Sequence, residues 1–142
     1  PTGIMIQDVD MAGNPRESDD TASGVMEILT DSGFIIVPVS DRFHLNGIND
    51  GEIMAKAKLM YGDTMERLVY GVVQIADFSE DEGQYLIKVE GTVKVADLAS
   101  GTLVLSESGS KWSRGNNTVS VISAAFKSIG HELGRALVSQ LQ

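Results

Sequence analysis

The chain contains no cysteine, two histidines, three prolines and a single tryptophan in 142 residues. Without cysteine there is no disulfide, no thiolate metal site and no cysteine nucleophile. His44 and His131 are the only imidazoles, so a serine–histidine–acid triad or an imidazole-bound metal would have to be built on one of them. Basic side chains are also scarce. Eleven Lys and Arg stand against twenty Asp and Glu, for a net charge of −9. Such a chain repels phosphate backbones, and no stretch clusters Lys and Arg into a face, so nucleic acid is not an expected partner. No apolar run approaches the ~20 residues of a membrane-spanning helix. No secretory leader is visible, and the chain opens abruptly at Pro1-Thr2-Gly3. A segment trimmed behind a signal or a lipid anchor would start in the same way.

What is present is ordinary globular composition, 42% hydrophobic and 22% charged, enough to bury a core in one domain spanning residues 1–142. Charge is unevenly placed: residues 1–87 carry a net −11 and residues 88–142 a net +2.

The clearest signal is Gln84 to Leu105. Tyr85, Ile87, Val89, Gly91, Val93 and Val95 fall on one side of an alternating run, with Leu86, Lys88, Glu90, Thr92, Lys94 and Ala96 on the other. Period two of this kind predicts a strand with one buried and one wetter face. Thr118 to Leu141 carries Val119, Ile122, Phe126, Ile129, Leu133, Leu137 and Leu141 at helical spacing, which predicts a helix packed across that ribbon, started by Asn117.

Earlier in the chain, Gly3–Val9 reads as a first strand. A helix follows with Asp19, Asp20 or Thr21 as cap, Ala22, Val25, Ile28 and Leu29 inward, and Gly33 as its left-handed stop. Phe34–Val37 is wholly apolar and reads as a strand covered on both faces, ended or held at an edge by Pro38. Ser40–Asn49 reads as a loop. Asp50 then caps a second helix with Ile53, Ala57 and Met60 inward. Leu68–Phe78 is a further strand, Ser79–Gly83 a turn, and Gly101 the hinge of a hairpin leading into Thr102–Trp112. The order is β-α-β-α-β-β-β-α, an α/β (α+β) domain with three helices on a mixed five-stranded sheet: parallel where helices intervene, antiparallel where turns do.

No stretch carries a chemical signature. His131-Glu132-Leu133-Gly134-Arg135 imitates the start of a zinc-peptidase helix, but Arg135 stands where the second histidine is needed. A solvated helix face accounts for His131 and Glu132. The acidic groups at Asp8 and Asp10, Asp19 and Asp20, and Glu80 to Glu82 lack the spacing of a calcium loop and read as solvated turn charge. Gly109–Asn117 is neither a Walker nor a dinucleotide loop and reads as a polar connection, with Lys111 and Arg114 near the following helix start. No Gly-x-Ser-x-Gly elbow occurs. Trp112 reads as part of the core, with an exposed anchor as the other option. Catalytic, cofactor and metal residues are therefore none.

Three stretches resemble a bacterial envelope superfamily. It includes the amino-terminal domain of TolB, the curli-secretion channel lipoprotein, the flagellar assembly protein T and lipoproteins that activate penicillin-binding proteins. Met26–Val37 is similar to the family's passage from first helix through Gly33-Phe34 into a strand. Leu68–Gln74 resembles its strand with a mid-strand glycine, here Gly71. Val93–Val104 resembles its valine-rich strand, turn glycine and return strand. Gly62–Arg67 is longer and more polar than the matching step in relatives. The resemblance implies a non-enzymatic, periplasm-facing domain, often lipid-anchored at the outer membrane, that assembles or braces flagellar, secretion or cell-wall machinery. Partners would be other envelope proteins or further copies of the chain, and membrane contact would come only through an anchor. Ser40–Asn49 and Gly109–Asn117 are the expected contact loops, with Phe43, His44, Trp112 and Arg114 as candidate partner contacts. The alternative is an accessory domain that binds a small ligand or a divalent metal.

Overall fold

The computed structural model describes residues 1–39, 43, 45 and 47–141. Five strands and three helices follow in the expected order: β1 Thr2–Val9, α1 Asp20–Asp31, β2 Ile36–Val37, α2 Asp50–Tyr61, β3 Arg67–Asp81, β4 Gln84–Asp97, β5 Thr102–Gly115 and α3 Thr118–Leu141. The sheet order is β2-β1-β3-β4-β5. β1 runs parallel to both β2 and β3, whereas β3, β4 and β5 form an antiparallel meander. The helical crossovers and tight turns require this.

Alternation along the strands divides the core in two. Ile4, Ile6, Val69, Val73, Ile87, Val89, Val93 and Val95 face α1 and α3. Met5, Leu68, Tyr70 and Ala96 face the other way, against Ile53, Ala57 and Tyr61 of α2 and against Leu45. On the first side the helices cross with almost no side chain between them. A Cβ on Gly24 would lie 2.6 Å from the Lys127 carbonyl, and one on Gly130 would collide with the Thr21 carbonyl. Gly71 is likewise a packing requirement, since a Cβ there would run into the Thr92 carbonyl of β4.

Several local expectations need correction. The apolar run at Phe34 yields only a two-residue strand, half-buried and not covered on both faces, with Ile35 69% exposed, although it does lie at a sheet edge as expected. Pro38 cannot extend the ladder. β3 and β4 run on to a two-residue turn, Glu82-Gly83, with both φ positive (51° and 79°). That backbone suits the twist of a hairpin, so Ser79, Glu80 and Asp81 are strand and not turn. α2 is capped by Asn49, whose Oδ1 accepts from the Glu52 amide at 2.9 Å while its Nδ2 donates back to Glu52 Oε1 at 3.1 Å. This is an asparagine cap with a side-chain bond back from it to Glu52, and it frees Asp50 for another role. Met60 points outward and Tyr61 inward, and Val119 is 72% exposed at the start of α3. Asn117 does cap α3, accepting from the Ser120 amide at 3.0 Å.

A further correction concerns Gly109–Asn117: the strand expected to close at Trp112 runs on to Gly115 as β5, the outermost strand, which leaves only Asn116 and Asn117 as connection. Serine and glycine disguise that extension, because they lack the side chains that mark a strand. The ladder to β4 and the cover of α3 hold it in place.

Candidate functional site

α2 covers only part of its side of the sheet. Beyond it the wet face of β3, β4 and β5 is open. At the boundary lies a hollow of about 550 Å³, lined by Leu45, Ile48 and Ile53 on one wall and by Tyr70, Gln74, Glu90, Thr92, Lys94 and Ser108 from the sheet. Its side chains come from four separate elements, and alternation aims the strand residues into it.

Asp50 sits at the corner. Lys94 Nζ donates to its Oδ1 at 3.1 Å and its Oδ2 at 2.8 Å, and the Tyr70 hydroxyl donates to Oδ1 at 2.9 Å. The Lys94 bonds, helped by Tyr70, hold the Asp50 carboxyl below its usual range against the opposing pull of burial. Burial, and then the Asp50 carboxylate, push the Tyr70 phenol up. Asp50 is thus fixed as an anion with its oxygens committed, which suits a strut between α2 and the sheet and not a general base. Across the hollow the hydroxyls of Thr92 and Ser108 lie 2.7 Å apart, in hydrogen-bond contact.

Along β5 the open face continues through Ser106, Ser108, Ser110, Trp112 and Arg114, all exposed. Trp112 pairs across the ladder with Lys88, whose Nζ stands 5.6 Å from the centre of the indole. Trp112 is 52% exposed, so it lies on the surface and not in the core as expected. Arg114 lies two residues on, on the same face, beside the hollow that Leu86 shares with the β3–β4 turn.

Of the four expected contact residues, the three that are described do not form one site. Trp112 and Arg114 share the open face at the β5 edge. Phe43 sits against the β1 side with Met5 and Leu45, half-buried, with Lys56 Nζ 5.2 Å from its ring centre. His44 lies outside the described residues. The hollow itself was missed, since no contiguous stretch encodes it. The usable signal was Lys94 and Thr92, polar residues recurring on the wet side of β4.

The histidine–glutamate pair also has a different role. His131 Nε2 meets Glu27 Oε2 at 2.7 Å and Lys127 Nζ meets Glu27 Oε1 at 2.9 Å. Together they clasp α3 to α1, so this helix face is not simply solvated. Asp8 is no turn charge either. It is 1% exposed, and its Oδ2 accepts from the Thr21 amide at 3.2 Å, capping α1 from β1. Asp10 instead closes a turn, its Oδ1 accepting from the amides of Ala12 and Asn14. Among the described residues no three of His, Asp and Glu converge as metal ligands, and no helix is long and apolar enough to cross a membrane.

The model of the TP0693-like lipoprotein C-terminal domain matches residues 1–138. The chain belongs to that family. No curated protein matches it significantly. Among solved structures, the fold is similar to the PelC dodecamer from Paraburkholderia phytofirmans. That match has 14% identity and TM-score 0.55, with 94% of this chain and 86% of that one covered. It is also similar to lipoprotein GNA1162 from Neisseria meningitidis, with 19% identity, TM-score 0.52 and 99% and 98% covered. TolB from Acinetobacter baumannii matches at 14% identity and TM-score 0.52 over all of this chain but only 28% of its own. At these identities the likeness concerns the fold. The chain is accordingly a domain of a lipoprotein family, with the α/β architecture that the order of its strand and helix signals predicted.

Proposed function

We propose that residues 1–142 act as one TolB-N-like, periplasm-facing interaction domain that helps assemble or brace envelope machinery. The service would be flagellar, secretory or cell-wall related, and anchorage would come from a lipid outside this stretch. The observation that carries the reading is Trp112, a large aromatic 52% exposed on a strand whose other face is held by α3. A rigid aromatic with a neighbouring arginine, on a face without a covering helix, is the usual anchor of a protein contact. Capture of partners from envelope extract tests it. Trp112→Ala and Arg114→Ala should each cut recovery of a specific partner while the far-ultraviolet circular dichroism stays unchanged. Undiminished recovery from both variants would remove the assignment.

The hollow at Asp50, Tyr70 and Lys94 favours a second reading, an accessory site for a small polar ligand. A thermal-shift screen with divalent ions, phosphates and nucleotides separates the two, because a ligand that binds only the folded chain raises its melting point. A shift abolished by Thr92→Val or Ser108→Ala would support it, and a flat screen would leave only the first reading.

A further inference from the structure

β5 is the last strand of the sheet, and among the described residues none of its outward amides or carbonyls bonds to another backbone group. It contains no proline. The opposite edge, β2, is two residues long and followed by Pro38. A long open edge is a template for another strand, and the residues of β5 specify which strand fits. A two-fold axis perpendicular to the sheet keeps every residue on its own face, so self-pairing can shift only in steps of two. Centred on Gly109, an antiparallel pair sets Glu107 opposite Lys111 in both directions, Ser108 opposite Ser110, and Ser106 opposite Trp112. Centred on Ser108 or Ser110, neither ion pair forms. Glu107 and Lys111 both lie on the α3 side, half-buried, with Lys111 Nζ 3.7 Å from Glu132 Oε2 of its own chain, so that Glu107 of a second copy would join an existing ion pair where charges are less screened than on open surface. On the other side, a small Ser106 leaves room for the exposed indole of Trp112.

We propose that the occupant of this edge is β5 of a second copy, joined antiparallel about Gly109 into one continuous sheet across the dimer. The ladder runs from Leu105 to Ser113 and ends where Val104 bulges out of register with β4. This inference does not depend on the envelope role proposed above.

Sedimentation of the full chain over a concentration series tests it. The wild type should show a monomer–dimer equilibrium. Glu107→Lys, which sets Lys opposite Lys twice, should raise the dimer dissociation constant by at least about tenfold, and so should Lys111→Glu. The double variant carrying both exchanges should dimerise again. An equimolar mixture of the two single variants should form a heterodimer, since every cross-pair is then opposite in sign. Circular dichroism of each variant confirms that it is folded. A wild type that stays monomeric, an oligomer indifferent to Glu107→Lys, or two single variants that fail to associate on mixing would each overturn the proposal.

Discussion

Asp8 illustrates how one side chain can be both a structural device and a liability. Its carboxyl closes the start of α1 by accepting from the Thr21 amide, as an N-terminal cap must. To do so it is buried, and burial pushes its pKa up from 3.8 to about 6, with Thr21 and the nearby Arg16 guanidinium pulling back only in part. Raised in the folded chain, the carboxyl binds its proton more tightly folded than unfolded. It therefore destabilises the protein above pH 6, and the penalty fades as pH falls towards 3.8. A shift of this size is worth on the order of 3 kcal/mol as an upper bound. Asp8→Asn keeps an acceptor for the Thr21 amide and removes the charge. It should raise the melting temperature by several degrees at pH 7.5 and by little at pH 4, read by differential scanning calorimetry. A lower melting temperature at pH 7.5 would show that the ionised form is the one the fold prefers. The residue's position gave no hint of this. Asp8 and Asp10 are separated by one residue in a strand-to-turn passage, and only the approach of α1 decides which of them is buried.

Between elements, the crossing of α1 and α3 is set by glycine. Gly24 and Gly130 let the two backbones touch, and Gly134 makes room for Ile28. Ordinarily alanine in place of a helical glycine adds about 1 kcal/mol of stability. Here the sign should reverse. Gly130→Ala would force its methyl into the Thr21 carbonyl, and overpacking costs about 1–3 kcal/mol. Urea denaturation should show a lower midpoint for Gly130→Ala and a wild-type-like or higher one for Ser128→Ala, a substitution on the same helix. Equal midpoints would mean that the helices can slide apart without cost. The elements themselves were largely legible. Alternation in β4 and the three-four spacing in α3 follow from burial of one face each, and burial leaves its mark on sequence. Only the end of β5 escaped notice: the strand expected to close at Trp112 runs on through Ser113, Arg114 and Gly115, which the ladder to β4 holds although they carry little strand preference. Conversely, Phe34 and Ile35 look like strand and are not, since β1 has only a short edge to offer there. The hollow was invisible for a related reason: Asp50, Tyr70, Lys94 and Ser108 meet only when four elements pack.

Taken whole, the molecule is a sheet with unequal covers. Two helices clasped by Glu27, Lys127 and His131 close one side, while α2 rests on the other through Ile53, Ala57, Tyr61 and the Asp50–Lys94 pair. That pair is about one-third exposed on each side chain, so its worth is at most about 1 kcal/mol. It acts, however, on the less secured half. Lys94→Met should lower the melting temperature at neutral pH by no more than about 3 °C and speed hydrogen exchange of the α2 amides by up to about fivefold, with α3 amides unaffected, because local opening draws on local contacts. Acid should act on Asp8 and Asp50 in opposite senses. Asp50 is held below 3.8, so its contribution is present at neutral pH and is lost as pH falls below that value. Asp8 gains over the interval from about 6 down to 3.8. Stability should therefore rise on mild acidification, pass through a maximum between these two values and fall below them, with α2 the first element to exchange freely at the acid end. A melting series from pH 3 to pH 8 reads the curve directly. In Asp8→Asn the upper limb should flatten while the lower limb stays, and in Lys94→Met the lower limb should become shallower, with Glu27, held below its ordinary range by Lys127 and His131, still contributing to it. If both variants lost the same limb, the two faces of the sheet would be one cooperative unit and the asymmetry of their covers would have no thermodynamic consequence.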